Sequence, residues 1–492
     1  MKVTIIVLFF LAFSLNNCSK KSNTEYNRST TNSGNGVLRV HPTNSRYFTN
    51  NTNKAIYLAG AHTWYNIHVD PERYIYENSY ETFEKFLDWL QSFGHNFTRL
   101  WTNTSYLNTG PYPWMRTGPG NARDGNLKFD MTKMDQTYFD ILRERILQVQ
   151  KRGMYCTIML FGSFNRMRTE EGWKDVAWHP QNNINPELGI LNDTDGQTFF
   201  TDNPQALEIQ KLLVAKTLDT VSDIDNLLIE VMNEPVLNPE GQAWHTEIIN
   251  FAKSYESSKK YNKHLIGVTP GWEYMDTSAQ EYITYGPSDW WSPSQIVFEK
   301  YDYRNGGPAS YSDKPVLFDS DHFDGGLYVP QWDYEGRTPG VKEGIRRAWK
   351  IFTRGKHNLL MDAYDTYWLT YVSIHPDTTR TVNLALDPVR KAVGQTLAFA
   401  NRFSDLSKMI PSETISSSGY CLYNPGEEYL IFNEEAESIT VDLKDIPGNV
   451  NYEWLRTSDG RSFPGGTMKG GSETTFTAPF LEDDAVLYIK KQ

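Results

Sequence analysis

The chemistry in this chain is concentrated at the ends of apolar runs. Leu227-Leu228-Ile229-Glu230-Val231-Met232 closes on Asn233-Glu234-Pro235. A carboxylate at the C-terminal end of a barrel strand points into the site that such a barrel builds there. A carboxyl so placed can protonate a leaving oxygen and later take a proton from water, as cleavage of a glycosidic bond requires. The neighbouring Asn233 can hold a sugar 2-hydroxyl, a contact that strengthens in the transition state. Read without that context, Asn-Glu-Pro is only a turn in which Pro235 ends the strand.

Further candidates follow other strands. His62-Thr63-Trp64 comes after the first and offers His62 to a hydroxyl and Trp64 to a sugar face. Asp362 and Asp365 follow the last, with Trp368 close by. Trp101, Trp114, Trp178 and Trp272 fall in or beside loops on the same side, where each can serve as core or as a stacking platform. No His-Glu-x-x-His, Cys-x-x-Cys or Gly-x-Ser-x-Gly occurs, which argues against zinc hydrolysis and a serine-hydrolase elbow. No metal and no cofactor is expected.

The elements that must position these residues alternate strand and helix. Apolar strands are predicted at Ala55–Gly60, Phe97–Trp101, Met154–Phe161, Leu227–Met232, His264–Val268, Pro315–Phe318 and Asn358–Met361. One more falls somewhere between Ser288 and Tyr301. Amphipathic helices are predicted at Tyr80–Ser92, with Phe83, Phe86, Leu87 and Leu90 inward, and from an Asp135 cap to Lys151, with Phe139, Leu142, Ile146 and Val149 inward. Helix-to-strand links are short. Strand-to-helix links such as 102–134, 162–203 and 320–340 are long, so one face of the array is elaborated. The pattern predicts an α/β fold, a (β/α)8 TIM barrel over 37–405. From about Ile410 short alternating strands broken by Pro447-Gly448, Asp459-Gly460 and Pro464-Gly465-Gly466 predict a small antiparallel β-sandwich accessory domain over 406–492. Gly60-Ala61-His62 is no dinucleotide fingerprint, which disfavours a doubly wound sheet.

With its strand motifs in place, residues 37 to about 405 resemble the clan A, cellulase-like glycoside hydrolases. In that clan the fourth strand ends in Asn-Glu, commonly followed by Pro, and the Glu is the acid/base. The resemblance gives those roles to Asn233 and Glu234. It also implies an Arg on strand two near the nucleophile, which Asn96-Phe97-Thr98-Arg99-Leu100-Trp101 supplies as Arg99. A structural ion pair of Arg99 with Glu230 is the alternative. The clan's nucleophile is a Glu ending strand seven, and here the sequence departs. Lys314-Pro315-Val316-Leu317 resembles the lead-in, but Phe318-Asp319-Ser320-Asp321-His322 follows. Asp321 is preferred as nucleophile because His322 can orient it, with Asp319 the second choice. A retaining enzyme needs its carboxyls about 5–5.5 Å apart, and a wider gap would mean inversion.

The start of the chain reads as a signal. Lys2 and the apolar run Val3–Leu15 precede Leu15-Asn16-Asn17-Cys18, which resembles a bacterial lipobox, with Asn17 where a small residue is usual. Residues 1–18 are thus expected to direct export, Cys18 to carry lipid, and the polar stretch 19–36 to tether the barrel to the outer membrane of a bacterial envelope. Cys156 and Cys421, the other two of three cysteines, are expected as small buried hydrophobes. The net charge is −12 with no basic stripe, which excludes nucleic acid as a partner. Aromatic residues make up 14% of the chain, suiting either large cores or sugar platforms. The sequence therefore points to a glycosidase with a carbohydrate substrate. The competing reading is a non-catalytic, surface glycan-binding lipoprotein on a decayed barrel. A peptidase sharing only the barrel lacks any positive motif.

Overall fold

The computed structural model describes residues 35–62, 79–101, 107, 111–162, 170–185, 203–270, 276–293, 303–304, 313–320, 340–362, 386–435 and 438–492. Eight parallel strands form one sheet: β1 Ala59–His62, β2 Phe97–Leu100, β3 Tyr155–Phe161, β4 Leu227–Asn233, β5 Leu265–Thr269, β6 Trp290–Trp291, β7 Leu317–Asp319 and β8 His357–Met361. Their order is β6-β5-β4-β3-β2-β1-β8-β7. A parallel bridge between Trp291 and Val316 joins the two edges, so the sheet closes into the expected barrel. Helices follow the strands as α1 Ser79–Ser92, α2 Gln136–Lys151, α3 Glu170–Lys174, α4 Pro204–Val221, α5 Pro239–Lys259, α6 Thr277–Tyr285, α7 Val341–Thr353 and α8 Asp387–Arg402.

Local chemistry explains most boundaries. Asp135 accepts from the Thr137 N–H and starts α2, and Gly153 at φ +66° follows its end. Phe83, Phe86, Leu87 and Leu90 of α1 and Phe139, Leu142, Ile146 and Val149 of α2 are all buried, as their spacing predicts. The first strand is displaced from its predicted place. Ile56 pairs antiparallel with Phe48 of an N-terminal hairpin, Arg39–Val40 with Phe48–Thr49, so the apolar run from Ala55 is captured early and β1 extends through His62. The link after β2 also holds a hairpin, Trp114–Asn121 with Leu127–Met134, where only a long loop is predicted.

The barrel is apolar at one end and polar at the other. Leu58, Phe97, Leu228, Trp290, Leu317 and Leu359 form a layer near the strand starts, covered by Leu38 and Phe48 of the hairpin. Gly267 admits the Trp290 ring into that layer. A Cβ there would lie 2.1 Å from the indole. The polar side chains gather at the strand ends.

The C-terminal region is a six-stranded antiparallel sheet, β9 Ile410–Ser412, β10 Cys421–Asn424, β11 Glu428–Asn433, β16 Ala485–Lys491, β13 Asn449–Arg456 and β14 Arg461–Lys469 in spatial order. It faces the pair β12 Ser438–Asp442 and β15 Glu473–Thr477. Tyr429, Ile431, Ile439, Val441, Trp454 and Phe476 fill the space between the layers, as in a sandwich. Tyr488 packs on Phe399 and Phe403 beside α8, and Arg346 of α7 holds Asp484 through two bonds of 2.7 and 2.9 Å. Cys156 and Cys421 are free and buried.

Three buried histidines couple this packing to pH. Burial holds His357 at about 3, and His95 and His245 at about 4, against an ordinary value of 6.5. The unfolded chain therefore binds more protons than the native one between about pH 6.5 and 4. Stability is complete above the unfolded value and falls as pH drops through that window, each ring contributing up to about 1.4 kcal/mol per pH unit. Urea midpoints at pH 7.5 and pH 5 should show the loss, and equal midpoints would contradict it.

Candidate functional site

Arg99, in the third position of β2, is buried and joins three strand ends. Its Nε and Nη2 donate to Glu230 Oε2 and Oε1 at 2.9 and 2.5 Å. Nη2 also donates to Asn233 Oδ1 at 2.5 Å, and Nη1 lies 3.2 Å from Asp319 Oδ2. The ion pair of Arg99 with Glu230 is present, and the same guanidinium also reaches Asp319 at the end of β7. His62 Nε2 completes the cluster 2.9 Å from Asp319 Oδ1. Trp101 lies under it, with its ring nearly parallel to His62 at 6.2 Å and 4.9 Å from the Arg99 guanidinium carbon. His62, Arg99, Trp101, Asn233 and Asp319 are thus brought together, as their places at strand ends require.

Strand β4 achieves this through an irregularity. Its pairing with β5 runs Glu230 to Gly267 and then Asn233 to Thr269, three residues against two. Strict alternation would put Glu230 and Asn233 on opposite faces, and the extra residue lets both reach Arg99. Glu234 follows in the left-handed region, φ +49°, with its N–H donating to the Thr269 carbonyl at 3.0 Å. A side chain held there costs about 1–3 kcal/mol, the kind of strain that functional sites retain. Glu234 is 5% exposed and Asp319 1%.

Thr269 and Glu230 are the members that sequence reasoning did not assign to the site. The signal for Glu230 was a carboxylate in the middle of a fully apolar strand. Thr269, ending β5, gives no such signal. Its hydroxyl lies 2.6 Å from Glu230 Oε1 and 2.9 Å from the Met232 carbonyl oxygen.

Asp362 is bonded away from this cluster. Its backbone N–H donates to the His62 carbonyl, but its carboxylate accepts from Arg390 Nε and Nη2 at 2.8 and 2.7 Å, and Arg390 stacks on Trp89. The side chain ties β8 to α8 in a buried ion pair. Trp114 and Trp178 are buried against each other edge to face at 5.3 Å and act as core. Cys18, Trp64, Trp272, Asp321, His322, Asp365 and Trp368 lie outside the described residues.

The cluster makes a stability prediction. Arg99→Met leaves Glu230 and Asp319 buried without their cation and should destabilise the fold by roughly 3–5 kcal/mol. Glu230→Gln keeps the volume but turns one of the two oxygens that accept from Arg99 into an NH2 donor, so it too should lower stability. Denaturant titration decides it: an Arg99→Met midpoint equal to the parent would mean that the network carries no stability.

No protein-family model and no curated protein matches the sequence. Solved structures do match. One described as a glycoside hydrolase is 13% identical, with 93% of this chain and 97% of that chain covered at a TM-score of 0.61. A glycoside hydrolase family 5 protein from Bacteroides vulgatus is 15% identical, with 93% and 94% covered at a TM-score of 0.61. At these identities the likeness is one of fold: a barrel with its C-terminal region, aligned over nearly the full length of both chains.

Proposed function

We propose that the protein is a glycoside hydrolase that cleaves a β-linked glycan with retention, using Glu234 as acid/base. The observation that carries this reading is Arg99. One guanidinium binds Asn233, the neighbour of Glu234, and also reaches the strand-seven end at Asp319. A retaining site needs one carboxyl kept protonated and one kept ionised. A cation at the strand-seven end favours the ionised form there. Asp319 has one oxygen on His62 and the other on Arg99, so in this reading it positions the cation and Asp321 attacks the sugar. The structural neighbours named as glycoside hydrolases support a carbohydrate substrate. Residues 1–18 then direct export, Cys18 carries the lipid, 19–36 tether the barrel to the envelope, and the sandwich over 406–492 is a structural accessory.

The second reading, a glycan-binding protein without turnover, is favoured by one observation: strand seven ends in aspartates with no glutamate. Incubation with a panel of β-linked polysaccharides and aryl β-glycosides separates the two. Release of new reducing ends by the parent supports the hydrolase, and binding without release supports the second reading.

A further inference from the structure

We infer that Thr269 is a positioning residue for the acid/base, a clasp that holds the irregular end of β4. The inference rests on Glu234 having that role. Three polar groups of β4 and the residue after it meet at Thr269. Its hydroxyl lies within hydrogen-bond distance of Glu230 Oε1, at 2.6 Å, and of the Met232 carbonyl oxygen, at 2.9 Å. Its own carbonyl receives the Glu234 N–H at 3.0 Å. Glu230 and Met232 lie at the start and in the middle of the stretch where β4 carries its extra residue, and Glu234 follows it in the left-handed region.

The physical need for a clasp is plain. A bulged stretch has lost regular ladder bonds, and a left-handed Glu is strained unless its surroundings over-determine it. The Thr269 hydroxyl has a single hydrogen, which its position lets it give to Glu230 Oε1 at 2.6 Å or to Met232 O at 2.9 Å within the bulge. Glu230 is the carboxylate that fixes Arg99, which in turn holds Asn233 Oδ1. Backbone and side chain of Glu234's own segment are thus set from one residue of the neighbouring strand. Thr269 is buried, 1% exposed, so its effect on the reaction passes through Glu234 and Arg99.

The test is Thr269→Val, which keeps shape and carbonyl and removes only the hydroxyl, with Thr269→Ala in its place if the valine variant does not fold. Assayed on the aryl β-glycosides and β-linked polysaccharides, it should lose kcat by up to about 10²-fold, the effect of a misplaced catalytic group. KM should change little. The alkaline limb of the pH profile, which reports loss of the general acid's proton, should move. Thr269→Ser should restore both rate and limb. In a Glu234→Gln background Thr269→Val should add almost no further loss, because both changes act on one group. Parent-like turnover of Thr269→Val, or a penalty that adds in full to Glu234→Gln, overturns the clasp. Full activity of Glu234→Gln alone instead overturns the acid/base reading on which it rests. A crystal structure of the variant gives a readout apart from activity. The clasp predicts that Asn233 Oδ1 leaves hydrogen-bond distance of Arg99, and an unchanged Arg99–Asn233 contact counts against it.

Discussion

Glu234→Gln should fold as the parent does and lose about 10²–10⁴-fold in kcat on glycans with poor leaving groups. Glutamine matches glutamate in size and can keep hydrogen bonds at the end of β4, so the left-handed backbone and its bond to Thr269 need not change. What it cannot do is deliver a proton to the departing oxygen. On aryl glycosides whose leaving group needs no protonation the first step, read by kcat/KM, should therefore recover, while kcat stays low because hydrolysis of the glycosyl-enzyme still needs the base. Thermal melting of the two proteins should coincide. Unchanged turnover of Glu234→Gln on a natural glycan would remove the residue from the mechanism.

How much of this was legible depends on whether a residue announces its role locally. Strand β4 was legible as a strand and as a strand end: the apolar run stops at Asn233-Glu234-Pro235, and the strand ends at Asn233. Helices α1 and α2 were legible through their period and, for α2, its cap. Strand β6 was placed only within Ser288 to Tyr301, where it does fall, because Trp290–Trp291 is too short to carry a period. The start of β1 was missed because Ile56 has apolar character whichever strand it pairs with, and the N-terminal hairpin takes it. Asp362 shows the limit for single residues. A carboxylate after a barrel strand reads the same whether it faces the mouth or turns outward to Arg390, since the partner is 28 positions away. The irregularity in β4 left no trace at all. By alternation Glu230 and Asn233 belong to opposite faces, and only the three-against-two pairing with β5 shows that both meet Arg99. Thr269 was invisible for the same reason. A β-branched residue closing a strand is ordinary, and its importance comes from what the neighbouring strand does opposite it.

Asp321→Gly should abolish hydrolysis, on the order of 10⁴–10⁶-fold, as loss of a covalent nucleophile does. Azide should then restore part of the rate, because a small anion can enter the space left by the side chain and attack in its place. The argument runs from position and from the commitments of its neighbour. Strand β7 lies across the barrel from β4, so carboxyls at the two ends can flank one glycosidic bond. Asp319 has one oxygen on His62 and the other on Arg99, which suits a residue that fixes a cation. An aspartate is one methylene shorter than the glutamate usual at this place. The backbone must therefore approach closer to hold the carboxyl spacing of about 5–5.5 Å that retention needs. Asp319→Asn should behave differently from Asp321→Gly. It should weaken the hold on Arg99 and lower stability, and azide should not rescue it. NMR of the first product formed should show the anomeric configuration of the substrate. Inverted product would replace the nucleophile with a carboxylate acting as base on water. Rescue of a truncated Asp319 by azide, with Asp321→Gly active, would move the nucleophile to Asp319. Full activity of both variants would leave Glu234 without a partner on β7, and the barrel would then be better described as a glycan-binding scaffold.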